Sequence, residues 1–240
     1  MTIKAWLEGE RFDLQDLADI LSAGDTRVLL DDSEDRYYLT APEIDHPPDG
    51  VSFYESAQQI NLYINGIGRI AKSGLRPVRL SGRYETPEGE HHVIAAPAAE
   101  GRLHVRVVGG VTGLEGEVQQ EPSPYPEYIA LAKSNELVDR VLRIMGADVR
   151  NLDWYALWKV LELVAKGAES TGRSIVTRGW CTVEERKALQ KSANSYEASG
   201  DTARHAVDNG RWKPGDPKLS IEEGQALVSR LVNLWLQSLA

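Results

Sequence analysis

Cysteine is nearly absent from this chain. The only one is Cys181 in 240 residues, which excludes an intrachain disulfide and any metal site built on several thiolates. Long apolar runs are also missing: no stretch approaches the roughly 18 residues that cross a bilayer. The first residues, MTIKAWLEGERFD, are acidic and mixed. They lack the basic segment, apolar stretch and small-residue cleavage site of a secretory leader, so a cytoplasmic, bacterial protein is expected. There is no GxxxxGK[ST], GxGxxG or GxSxG, so phosphate-loop, dinucleotide-fold and nucleophile-elbow mechanics find no support. Gly66-Ile67-Gly68 lacks a third glycine and lies inside a helical pattern. No cofactor and no metal is expected.

What is present suits a globular chain: 42% hydrophobic and 26% charged residues, enough to bury a core. The net charge of −9 is uneven. Residues 1–120 hold 11 basic against 20 acidic side chains, and residues 121–240 hold 16 of each. Within the second half, 173–218 carries nine basic and six acidic residues, a net of +3. That argues against wholesale wrapping of nucleic acid and permits a local basic patch.

Periodicity predicts an α+β protein: an N-terminal antiparallel sheet with two helices, then an all-α bundle. The expected boundaries are a sheet domain over 1–115, a linker over 116–123 within the Gly-, Glu-, Gln- and Pro-rich run, and a helical domain over 124–240. Ile3–Leu7 reads as a short strand. Asp13 reads as a helix cap, with Phe12 and Leu17 as a hydrophobic staple and Gly24 as the stop. RVLLDDSEDRYYLT reads as a hairpin around an acidic turn. Phe53, Ala57, Ile60, Ile64, Ile67 and Ala71 recur at three and four, which predicts a helix, with Gly66 and Gly68 packed closely on the sheet. Val78–Thr86, His91–Ala96 and Arg102–Val108 read as strands. Two stripes, from Leu137 to Met145 and from Trp154 to Ala165, predict helices. The boxes Thr182…Glu185 and Ser220…Glu223 start two more.

Several constellations are too incomplete to define a site. His91, His92 and His104 lie on neighbouring strands, but adjacent strand residues face opposite sides, so only one of the first two can join His104. Asp31, Asp32, Glu34 and Asp35 lack the spacing of a calcium loop and suit a solvated turn. Trp154 and Trp158 suit core packing. Trp212, in a basic loop, suits a lid over the bundle or a stacking platform.

The stretch SANSYEASGDTARHA, residues 192–206, is the most chemical part of the chain. His205 titrates near neutral pH. Arg204 suits a bidentate carboxylate or phosphate. Asp201 suits either the cap of a helix starting near Thr202 or the orientation of His205. Asn194 offers both a donor and an acceptor. The catalytic candidates are therefore His205, Arg204 and Asp201, and the ligand-binding candidates Asn194, Arg204, His205 and Trp212. The same residue types also suit a polar connection tying helix ends together.

The tract holding Trp180, Ala193-Asn194-Ser195, Gly200-Asp201-Thr202-Ala203-Arg204-His205, Pro217 and Trp235-Leu236 resembles the C-terminal helical region of a group of uncharacterised bacterial proteins. The resemblance spans the chain from about Asp153 onward and implies an organisation without an activity. Small helical ribonucleases of the HEPN type place an arginine before a histidine with about four to six residues between them. Here positions 198–200 are Ala, Ser and Gly. The expected function is non-enzymatic binding of a protein partner or small anionic ligand. The alternative is metal-independent cleavage of nucleic acid, or action on a nucleotide, centred on His205 and Arg204.

Overall fold

A computed structural model describes residues 2–72, 74–93, 123–147, 152–170, 172–204, 213 and 215–239. It is α+β. A five-stranded antiparallel sheet has the order β2-β3-β1-β4-β5, with β1 Lys4–Glu8, β2 Arg27–Asp31, β3 Arg36–Thr40, β4 Arg79–Thr86 and β5 Gly89–His92. Helices α1 (Arg11–Ile20), α2 (Pro42–Asp45) and α3 (Phe53–Ala71) accompany it. Then come α4 (Tyr125–Ser134), α5 (Glu136–Gly146), α6 (Trp154–Glu169), α7 (Val183–Asn194), the single turn α8 (Tyr196–Ser199) and α9 (Ile221–Gln237). The expected strand at 102–108, His104, and the linker at 116–122 lie outside the described residues. Among the described residues no helix is long and apolar enough to cross a membrane.

The hairpin forms as its pattern predicts, with Leu29 opposite Tyr38 and Asp31 opposite Arg36. Alternation along β1 sends Ala5 and Leu7 into the core and Lys4 and Trp6 to the other face. That face is not simply solvated. Trp6 is fully buried, with Lys4 Nζ 5.5 Å, Arg36 Cζ 5.6 Å and Arg83 Cζ 4.7 Å from its ring centroid. A register shift between β1 and β4 falls at Trp6, where Gly82 takes φ +82. An L side chain adopts that backbone reluctantly.

Two readings of α1 are corrected. Asp13 is not its cap. Glu10 holds that position without a side-chain bond, while Asp13, 1% exposed, accepts Arg76 Nε at 2.8 Å. Phe12 is 62% exposed and forms no staple. The carboxylate's partner lies 63 residues away, beyond any local pattern.

The acidic turn clamps cations of its own chain. Asp31 bonds Lys4 at 2.7 Å, Glu34 bonds Arg83 at 2.5 Å and Asp35 bonds Arg11 at 2.7 Å. These hydrogen bonds hold all three carboxyls below the ordinary carboxylate range. A carboxyl depressed in the folded state binds fewer protons there than in the unfolded chain. Its contribution is full above the unfolded value of about 4 and is lost as pH falls through the folded value. The thermal midpoint is therefore expected to stay level from neutral pH to about 5 and to drop below about 4. Lys4→Met should lessen the acid-dependent part of the drop. Calorimetry across pH checks both.

Of the helices after residue 123, α4, α5 and α9 pack directly on α3, and one contiguous apolar cluster runs from Ile3 to Leu236. Gly66 and Gly68 do mark close packing, but neither meets the sheet: Gly66 meets α5, and Gly68 meets Leu17 of α1 and Leu75. A Cβ there would sit 2.5 Å from Leu142 O, and one on Gly146 would sit 1.8 Å from Leu62 O. Thus α3 and α5 cross with backbones touching. The buried Arg69 donates to Met145 O at 2.7 Å and Ala147 O at 3.1 Å, satisfying carbonyls at the end of α5. A second reciprocal pair joins α6 to α9 in parallel. The ring of Trp235 covers Gly167, and that of Trp154 covers Gly224, each within 2.6 Å of where a Cβ would stand.

Candidate functional site

Helix α7 begins with a complete capping box. Thr182 accepts the Glu185 amide at 3.0 Å, and the Glu185 carboxylate accepts the Thr182 amide at 2.8 Å. Ala188, Leu189, Ser192 and Ala193 form its buried face. The chemical stretch starts at its far end, where the last four carbonyls of any helix lack internal donors.

Three of those carbonyls, from Lys191 to Ala193, find donors within the stretch, as does that of Gln190 before them. Gln190 O accepts Asn194 Nδ2 at 2.8 Å. Lys191 O accepts the Ser195 amide at 3.0 Å. Ser192 O accepts Ser199 Oγ at 2.6 Å. Ala193 O accepts the Arg204 amide at 2.8 Å. The chain folds back to make these bonds through α8 and a single 3₁₀ turn at Gly200–Thr202, with Gly200 at φ +58. No helix starts at Thr202 within the described residues, so Asp201 caps none there. It is exposed.

Ser192 is the hub of this knot and was not singled out by sequence. Its side chain is fully buried, and its Oγ accepts the Leu219 amide at 2.8 Å. It therefore binds the segment leading into α9 to the end of α7. Lys191 adds an ion pair to Asp216, and Asp216 also accepts the Lys213 amide at 2.8 Å. The Lys191 hydrogen bond holds the Asp216 carboxyl below its ordinary range. The available signal was the serine spacing: Ser192, Ser195 and Ser199 stand within one short polar run, a residue type that bonds to nearby backbone. Ser192→Ala should cost about 1–2 kcal/mol by stranding the half-buried Leu219 amide. Urea unfolding measures that loss, and hydrogen exchange should show it concentrated at Leu219.

Of the predicted site residues, the structure brings Asn194 and Arg204 together at one helix end, with Asp201 on the turn between. Asn194 spends one donor on the helix. Arg204 is anchored by its backbone while its side chain is exposed. Its guanidinium has no partner among the described residues. His205 and Trp212 lie outside the described residues. Cys181 is buried, and burial raises its thiol above the ordinary value, which favours the protonated form. His91 and His92 are exposed; His91 Nε2 lies 3.0 Å from Thr86 Oγ1 and His92 Nε2 lies 2.7 Å from Glu90 Oε1. Among the described residues no group of three or more His, Cys, Asp or Glu side chains is placed to hold a metal ion.

The arrangement does two things chemically. It closes a helix, and it holds one planar cation at a fixed place on the surface; Arg186 and Lys187 on α7, and Lys213 and Lys218 before α9, are exposed as well. Comparison with protein-family models, with curated proteins and with solved structures finds no match to this chain.

Proposed function

We propose that this chain is a non-enzymatic binding protein of the bacterial cytoplasm, and that its binding face is the cationic end of α7. The observation that supports this is the anchoring of Arg204: its amide is fixed on Ala193 O while its side chain stands in solvent. A cation on a pinned backbone loses less freedom on binding than one on a mobile loop. Guanidinium presents paired donors that match carboxylate and phosphate oxygens. The partner is accordingly an acidic protein segment or a small anionic ligand. Because the whole chain carries −9, the attraction is local and weakens as salt screens it.

The test is fluorescence anisotropy with a labelled oligoglutamate peptide and a labelled single-stranded RNA, at about 50 and about 300 mM salt. The peptide should bind, more weakly at high salt. Arg204→Ala should weaken it about two- to fivefold, the range for one exposed charge, with the unfolding midpoint unchanged. Failure of wild type to bind either probe removes this face as the site. Shortening of the RNA that His205→Ala and Arg204→Ala abolish replaces binding with metal-independent cleavage.

A further inference from the structure

Strand β2 lies at the margin of the sheet, and among the described residues no strand pairs with its outer edge. Such an edge presents backbone donors and acceptors that another chain can use. Natural edges are often guarded by proline, a bulge or an inward-pointing charge. The sequence here, Arg27-Val28-Leu29-Leu30-Asp31, has no proline, and its register with β3 is continuous.

The five residues are complementary to themselves. Laid antiparallel against a second copy about a two-fold axis at Leu29, Arg27 of each copy faces Asp31 of the other. Val28 then faces Leu30, and Leu29 faces itself. Opposite charges directly across an antiparallel pair stabilise it, and like charges oppose it. Strand alternation puts Leu30 on the same side as the buried Val28, yet Leu30 is 39% exposed. The pairing would cover it. Arg27 is exposed and has no ion-pair partner among the described residues. Asp31 Oδ1 already accepts the Ser33 amide, Ser33 Oγ and the Glu34 amide, and its Oδ2 accepts Lys4 alone, so an incoming guanidinium would share Oδ2 with Lys4. Phe12, the most exposed large apolar residue among the described ones, lies in the first turn of α1, which packs beside β2. Its neighbour Arg11 holds Asp35 at the end of the β2–β3 turn.

We propose that β2 is a homodimerisation edge, at which two copies pair antiparallel through reciprocal Arg27–Asp31 contacts and join their five-stranded sheets. A five-residue edge lies at the small end of specific interfaces, so the association depends on concentration.

Sedimentation equilibrium of the full chain from about 2 to about 200 µM tests this. The average mass should rise from 26.6 kDa toward twice that value. Arg27→Glu, which sets acid against acid at both ends, should remain at the monomer mass at the highest concentration. Leu30→Lys should do the same by a different route. Both positions are exposed, so circular dichroism should match wild type; if one variant unfolds, the other decides. A wild type that stays monomeric throughout overturns the proposal. So does a dimer that the folded variants leave intact, because it then forms elsewhere.

Discussion

Replacing Gly146 by alanine is expected to cost about 3 kcal/mol or more, a large share of the 5–15 kcal/mol that holds a typical domain together. The new methyl carbon would stand 1.8 Å from Leu62 O, 2.7 Å from Leu62 C and 2.9 Å from Gly66 N. All three are backbone atoms of α3, so no side-chain rotation relieves the clash. The helices must separate. Val138, Val141, Leu142 and Met145, all fully buried on α5, would then lose contacts along its length. The bonds from Arg69 to Met145 O and Ala147 O would lengthen as well. Alanine gains about 1 kcal/mol over glycine in a helix interior, but Gly146 is the last residue of α5, so little of the cost is offset. Gly66→Ala should be milder, since its Cβ would sit 2.5 Å from Leu142 O. Urea unfolding gives both values. A loss below about 1 kcal/mol for Gly146→Ala would mean that the two backbones do not touch.

Asn65→Leu is expected to be nearly as damaging, at about 2–4 kcal/mol, although it adds apolar surface. Asn65 is 1% exposed and treats Val78 as a neighbouring strand would. Its Nδ2 donates to Val78 O and its Oδ1 accepts the Val78 amide, both at 2.8 Å. A helix side chain thereby supplies both hydrogen bonds to the residue just before β4. Leucine fills the space and strands the buried amide. Asn61 Nδ2 also donates to Val78 O, at 3.2 Å, so the carbonyl keeps one partner and the amide carries most of the loss. Asn65→Asp keeps an acceptor for that amide but buries a charge. It should therefore be at least as unstable as the leucine variant at neutral pH and recover as the pH is lowered. Unfolding curves of the two variants at neutral pH and near pH 5 separate these effects.

The parts of this fold legible in the sequence are those set by nearby residues. The hairpin, the periodic α3 and the two C-terminal capping boxes each depend on partners a few positions apart. The box Ser52…Glu55 that starts α3 carries the same local signature. Asp13 shows the limit. A carboxylate beside a helix start suits a cap or a distant arginine equally, and only the return of the chain at Arg76 decides. Gly66 announced close packing but could not name its partner, because Leu142 and Gly146 belong to a helix some 80 positions on. The stretch from Ser192 to Arg204 sits between these cases. Its residue types marked it as polar and structured, yet whether it served chemistry or a helix end depended on where four carbonyls pointed.

That question turns on one amide. The account holds that the backbone N–H of Arg204 donates to Ala193 O and closes α7, which fixes the exposed guanidinium in place. Hydrogen exchange followed residue by residue should show the Arg204 amide protected to a degree close to that of Ser195, which donates to Lys191 O. Exchange at Arg204 as fast as in an unstructured peptide, beside a protected Ser195, would contradict the account: α7 would then end at Asn194 without this closure, and Arg204 would be a mobile residue.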